Sequence, residues 1–218
     1  MTDYPAPWTL RGYGYILLYR FGTSFANQQA PEFLTDQAIP GFGSVMLVNY
    51  QTSDCGPYGE LLVIPGKYQY HQEKKHTISK IYVSSQASVE NGRKNWGIPK
   101  ELAQFNFEPQ SDKSEKVTVT NRNNGESSPI FEASFKTGPI PFPVSTRLLP
   151  FPLIQHWDNK AFRTTFSGTG TGRFATMTDL NINENFFPDL GRFKPLAIIK
   201  VDPFAITFPA AKINKLTR

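Results

Sequence analysis

Eighteen prolines and sixteen glycines are scattered along the 218 residues between short apolar runs, which leaves little room for long helices. Proline removes a backbone donor and glycine loosens the chain, so the segments between them suit strands or short helices. Several of these runs carry the period of a strand. Phe105 and Phe107 alternate with Asn106 and Glu108, Val117 and Val119 with Thr118 and Thr120, and Phe131, Ala133 and Phe135 with Glu132, Ser134 and Lys136. Such alternation predicts antiparallel strands buried on one face. Ala161 to Phe166 and Arg173 to Thr178 continue it. Leu196 to Val201 and Phe204 to Phe208 form a last pair, interrupted at Asp202-Pro203, where a bulge or a sheet edge is expected.

In the amino-terminal half, Tyr13 to Phe21, Ser44 to Asn49, Tyr58 to Ile64 and Ile78 to Ser84 are rich in aromatic and branched residues and predict strands. The second and third of these flank the turn-prone Ser53-Asp54-Cys55-Gly56-Pro57. Short helices are expected at Pro31 to Asp36 and at Ser85 to Asn95, the latter followed by an irregular turn over Trp96 to Lys100, since Pro99 biases Ile98 to an extended conformation. Asn121 to Ser128 is expected to be a solvent loop, and Gly168-Thr169-Gly170-Thr171-Gly172, which lacks the ending of a phosphate loop, a flexible hairpin connection. The pattern predicts a β-rich α+β fold in which curled antiparallel sheets form a sandwich or barrel-like cup with a few short helices, as one domain over residues 1–218.

An apolar fraction of 39% with 14% aromatics, 18 of them Phe, is enough for a sizeable core and is unlike a disordered chain. The lone Cys55 has no disulfide partner and the first residues lack the pattern of a secretory signal, so a cytoplasmic protein is expected. No apolar run approaches the roughly 20 residues of a membrane-spanning helix, so no membrane partner is expected. The formal charge of +5 is dispersed, and its densest group, Lys74-Lys75-His76, is too short to track phosphates, so no nucleic-acid partner is expected. His71, His76 and His156 show no metal-ligand spacing, and neither a metal nor another cofactor is expected. Homo-oligomerisation is left open.

The most informative segment is Asn91-Gly92-Arg93-Lys94-Asn95-Trp96-Gly97-Ile98-Pro99-Lys100-Glu101-Leu102. It resembles the element of the acetoacetate decarboxylase family in which a Gly-Arg pair precedes an aromatic residue, a proline and the Schiff-base lysine. Upstream, Gly56-Pro57-Tyr58-Gly59-Glu60 resembles that family's strand ending in a glutamate that lines the active site. Ala6-Pro7-Trp8 ahead of Gly14 to Arg20 looks like the opening strand, and Leu196 to Ala211 looks like the family's carboxyl-terminal part. The resemblance implies the family's fold, Lys100 as nucleophile, Glu60 as its catalytic partner, Tyr58 and Trp96 at the substrate, and Arg11 as the nearest candidate for the arginine that holds the substrate's carboxylate.

A lysine with an ordinary pKa near 10.4 attacks a ketone only where its surroundings disfavour the ammonium form, and the family achieves this with an apolar pocket or a neighbouring cation. Here Trp96, Ile98 and Leu102 flank Lys100 in sequence and could furnish apolar walls. An imine at Lys100 would withdraw electrons from the α-carbon, which suits decarboxylation, aldol cleavage or dehydration equally. Three positions depart from the family. Glu101 stands where the decarboxylases have a second lysine, Val45 stands where the spacing places a second pocket glutamate, and the positions aligned with the arginine are Gly12 or Tyr13.

Two functions follow. One is a cofactor-independent lyase acting on an oxo-acid or β-dicarbonyl compound, with Glu60 assisting proton transfer. The other, favoured by the three departures, is a binding protein holding an apolar small molecule in an aromatic-lined β cup. From spacing alone, Lys100 reads as a surface lysine after a turn and Glu60 as a solvent-facing strand residue. Arg93 is expected to brace the turn through hydrogen bonds to carbonyls, and Cys55 to be an ordinary thiol.

Overall fold

The alternating segments pair into a ten-stranded sheet that curls until its two edges are joined by one residue. In the computed structural model, which describes residues 2–111, 113–123, 126–148 and 150–216, the chain opens with β1 (Trp8–Tyr19), α1 (Thr23–Gln28) and a 3-10 turn (Glu32–Leu34). Then come β2 (Ala38–Ile39), β3 (Gly43–Thr52), β4 (Tyr58–Ile64), β5 (Lys67–Tyr70), β6 (Glu73–His76) and β7 (Lys80–Val83). Helix α2 (Gln86–Trp96) precedes β8 (Glu101–Leu102), β9 (Gln104–Pro109), β10 (Ser114–Asn123) and β11 (Glu126–Ser145). The remainder is β12 (Pro152–Trp157), β13 (Lys160–Thr165), β14 (Ser167–Ile182), β15 (Ala197–Phe208) and β16 (Lys212–Lys215).

The large sheet runs β8-β7-β4-β3-β1-β15-β14-β11-β10-β9. Its outermost strands are separated in sequence only by buried Ala103, whose N–H donates to the Val83 carbonyl at 2.9 Å. The result is a nearly closed barrel. Tyr15, Leu47, Leu61, Val119, Phe131 and Phe135, drawn from both halves of the sheet, meet in its interior, with Tyr15 stacked on Phe135 at 4.2 Å between ring centroids. Because side chains alternate along a strand, Leu10, Val48, Leu62, Ile64, Val201 and Phe204 emerge on the outer face. They pack under α2 and the segment carrying Phe151 and Leu153. Strand β4 has a core on each side and is buried at every position, including Glu60.

A six-stranded sheet, β16-β13-β12-β6-β5-β2, packs beside it with α1 and the 3-10 turn, around Leu34, Tyr68, Tyr70 and Ile154. Among the described residues, no helix is long and apolar enough to cross a membrane.

The structure corrects several local expectations. The Pro31–Asp36 helix shrinks to the single 3-10 turn, and the real helix, α1, lies just before it. Asn121–Ser128 is strand up to Asn123 and from Glu126, so most of the expected loop is a continuous ladder; residues 124 and 125 lie outside the described residues. Gly168–Gly172 is the interior of β14, a central strand, and no hairpin connection. Its glycines are needed for close approach: a Cβ on Gly170 would lie 2.6 Å from Val201 Cγ1, and one on Gly172 2.6 Å from Val144 Cγ2. At Asp202-Pro203 the expected bulge is present, with register shifts opposite it at Gly12/Gly14 and Gly170/Gly172, but β15 is central and no edge.

His76 ends β6 against the Phe151 ring at 4.9 Å and is 5% exposed. Burial, and secondarily the charge of Lys67, lower its pKa from 6.5 to about 4. As pH falls the unfolded chain takes up this proton first, so stability is lost between about pH 6.5 and pH 4. Urea unfolding should show wild type losing about 2 kcal/mol more than His76→Phe between pH 7 and pH 4.5.

Candidate active site

Helix α2 is set by its two ends. At the first, Ser85 Oγ accepts the Ser88 N–H at 3.3 Å; at the second, Gly97 takes a left-handed conformation with φ of 64° and its N–H returns to the Arg93 carbonyl at 3.0 Å. The chain then reverses through Ile98 and Pro99 and sends the Lys100 side chain back along the helix. It passes so close to Gly92 that a Cβ there would lie 2.7 Å from Lys100 Cδ and 2.9 Å from Cε. Arg93 Nη2 donates to the Lys100 carbonyl at 2.5 Å while its guanidinium lies over the Trp157 ring at 5.0 Å, so the expected brace of the turn is in place.

The lysine ends in a ring of partners. Lys100 Nζ donates to Glu60 Oε2 and to Ser88 Oγ, both at 3.0 Å, and lies 5.0 Å from the centroid of the Tyr58 ring. Glu60 Oε1 accepts from the Tyr50 hydroxyl at 3.0 Å. The pair is almost wholly removed from water, at 3% exposure for Lys100 and 5% for Glu60. Burial, and secondarily the charge of Glu60, push both the Tyr50 and the Tyr58 phenol well above the ordinary range, so both stay protonated. Burial likewise raises the Cys55 thiol.

Two chambers meet at this cluster. The smaller, about 30 Å³, lies against Lys100, Tyr58, Trp8, Trp96 and Ile98, with room for about one or two waters. Trp8 meets Trp96 edge to face at 4.9 Å and donates its indole N–H to the Tyr4 carbonyl at 2.9 Å, so the amino-terminal segment helps wall this chamber. The larger, about 200 Å³, is walled by Ile16, Met46, Val48, Ile199, Phe204 and Phe166. Tyr50, Glu60, Leu62, Ile78 and Phe208 line both, so the carboxylate stands at the junction.

Of the residues singled out in the sequence, Lys100, Glu60, Tyr58 and Trp96 are brought together. Arg11 is not. It is exposed and lines neither chamber, because the alternation of β1 turns the neighbouring Leu10 toward the chambers in its place. Glu101 is taken by Lys80 at 2.6 Å and lines neither chamber. Val45 faces the barrel interior, while Met46 and Val48 of the same strand line the large chamber, so β3 offers no second carboxylate there.

Sequence reasoning missed Tyr50, Ser88 and Gly92 as site residues. The alternation of Met46, Val48 and Tyr50, and the four-residue spacing of Ser88 and Gly92, were signals that all five share faces with the cluster.

The family model for acetoacetate decarboxylase (ADC) matches residues 3–143. No curated protein matches the chain by sequence. Among solved structures, the acetoacetate decarboxylase of Legionella pneumophila subsp. pneumophila str. Philadelphia 1 is similar with a TM-score of 0.73 at 15% identity, covering 98% of this chain and 90% of that one. An acetoacetate decarboxylase-like enzyme from Sphingomonas wittichii RW1 has a TM-score of 0.67 at 11% identity, over 99% and 95% of the two chains. The enduracididine biosynthesis enzyme MppR complexed with pyruvate has a TM-score of 0.66 at 16% identity, over 100% and 92%. MppR is also solved with the condensation product of pyruvate and imidazole 4-carboxaldehyde. At these identities the likeness is one of fold.

Removing one member of a buried ion pair strands the other charge, whereas an apolar pair of similar volume is tolerated. Glu60→Gln should therefore cost about 3 to 5 kcal/mol in urea unfolding, and the double change Glu60→Leu with Lys100→Met should recover most of that loss. Equal destabilisation of the single and double variants would show that the pair does not behave as a unit.

Proposed function

We propose that this chain, which belongs to the acetoacetate decarboxylase family, is a lyase that binds a small carbonyl compound as an imine on Lys100. The observation that carries the proposal is the contact between the Lys100 amine and the Glu60 carboxylate at 3.0 Å, buried where two cavities join. Moving one proton from the ammonium to this carboxylate turns two buried charges into a neutral amine and a neutral acid without exchange with bulk water. The amine nitrogen then adds to the carbonyl carbon, and the resulting carbinolamine carries a hydroxyl. Glu60 returns its proton to that hydroxyl, which departs as water, leaving an iminium beside a carboxylate. The iminium draws electrons from the α-carbon, and a bond to that carbon is broken or made.

Each neighbour has a task in this scheme. Tyr50 holds Glu60 through the other carboxylate oxygen, and Ser88 accepts from the amine and aims it. Tyr58 and Trp96 give the nitrogen an apolar wall, where an aromatic face also favours a cationic iminium. The substrate sits in the chambers, and the reaction draws on no further cofactor. The structures of the similarly folded MppR with pyruvate and with a condensation product support carbonyl chemistry as the type of reaction.

A second reading is favoured by the size and apolar walls of the larger chamber, which would also suit a protein that holds an apolar molecule without turning it over. Borohydride added with a panel of ketones and oxo-acids separates the two. Reduced adducts should appear on the Lys100 peptide by mass spectrometry and vanish in Lys100→Arg; a panel with no adduct leaves the binding reading. Gly92→Ala should lower the thermal unfolding midpoint, since its added methyl displaces Lys100 from Glu60 and the cost of parting a buried pair exceeds the roughly 1 kcal/mol by which alanine suits a helix better. It should lower adduct yield at least tenfold, because the added methyl occupies the path of the lysine side chain.

A further inference from the structure

We infer that the substrate is an uncharged ketone or aldehyde with an apolar tail, and that the tail occupies the larger chamber while the carbonyl reaches Lys100. This rests on the imine reading and specifies what the imine is made from.

Glu60 and Lys100 are the only charged side chains lining either chamber among the described residues, and they are paired with each other. A carboxylate entering with the substrate would therefore find no cation of its own. It would also lie beside Glu60, which is negative in the starting pair and negative again once the iminium has formed. Arg11 is directed to solvent, and the remaining polar groups around the larger chamber, Ser145, Thr146 and Thr169, are uncharged. An acid group is thus disfavoured both by desolvation and by like charge.

The same chamber is well made for hydrocarbon. Ile16, Met46, Val48, Ile199 and Phe204 stand around it, with Gly14, Gly168 and Gly170 completing part of the lining. Cavities of about 150 Å³ with such walls hold a benzene ring, so about 200 Å³ accommodates roughly six to nine carbons. The site then takes a neutral molecule on which the iminium serves aldol cleavage, condensation or dehydration, with no carboxylate to lose as carbon dioxide.

Borohydride trapping on wild type with propanone, pentan-2-one and nonan-2-one, set against pyruvate and acetoacetate, tests this. Adduct on Lys100 should rise at least tenfold from propanone to nonan-2-one, and both acids should label at least tenfold less than nonan-2-one. Equal or better labelling by the acids would overturn the inference while leaving the imine intact. Absence of any adduct would overturn both. A readout independent of the imine is the thermal midpoint: nonan-2-ol, which has no carbonyl, should raise it and nonanoate should not, and the reverse result overturns the inference. Ile199→Arg, which places a cation in the chamber wall, should narrow the preference for nonan-2-one over acetoacetate at least fivefold; if that variant does not fold, the wild-type comparisons decide.

Discussion

A carboxylate in the middle of a strand that is buried on both faces can persist only if something neutralises it, and this requirement organises the centre of the molecule. Glu60 is held in β4 with a hydrophobic core on each side. Lys100 supplies the opposite charge and Tyr50 a hydrogen bond, while Ser88 Oγ accepts a second hydrogen bond from the ammonium. The geometry of α2 follows from the same need, since Gly92 clears the path and Gly97 turns the chain so that the lysine can come back across the helix. Buried pairs of this kind seldom add stability over an apolar replacement. The position of this pair where two cavities join is what favours the proposed role of Lys100 over a purely structural one.

The barrel and the site use opposite faces of the same strands. Interior-facing Leu47, Leu61 and Tyr15 build the closed core, and the intervening Val48, Glu60, Leu62 and Ile16 build the chamber. The chamber wall therefore rests on a packed interior. A second buried carboxylate, Glu115, lies on the interior side of this arrangement, accepting from the Tyr13 and Tyr15 hydroxyls at 2.7 and 2.8 Å with Lys200 at 3.5 Å. It differs from Glu60 in being met mainly by phenols.

Much of this was readable in advance where a local rule acts alone. The alternation of β9, β10 and β11 expresses one-face burial, the limits of β4 follow its aromatic and branched residues beyond a turn-prone segment, and the helix expected over Ser85–Asn95 is α2 within a residue at each end. The lysine and glutamate were found by motif order, whereas their convergence depends on a helix folding over a sheet, which local pattern does not contain. Errors fell where tertiary packing overrides composition. The glycine-threonine run of β14 has the composition of a turn, yet its missing side chains let Val201 and Val144 fill the space. The lysine-rich β6, for which the sequence pattern gave no expectation, pairs with β5 in the second sheet, and only His76 of its four residues is buried. Arg11 illustrates the register problem: one position along β1 separates the chamber wall from bulk water.

The seam at Ala103 ties the buried Lys100–Glu60 pair to the integrity of the whole sheet. β8, the edge strand that follows Lys100, is only two residues long and leaves a short margin onto which a foreign strand could add. Because Lys100 immediately precedes β8, any opening of that margin also withdraws the amine from its carboxylate. A partly unravelled molecule thereby loses the buried pair, and the Lys100–Glu60 contact is made only in chains whose final closure is complete.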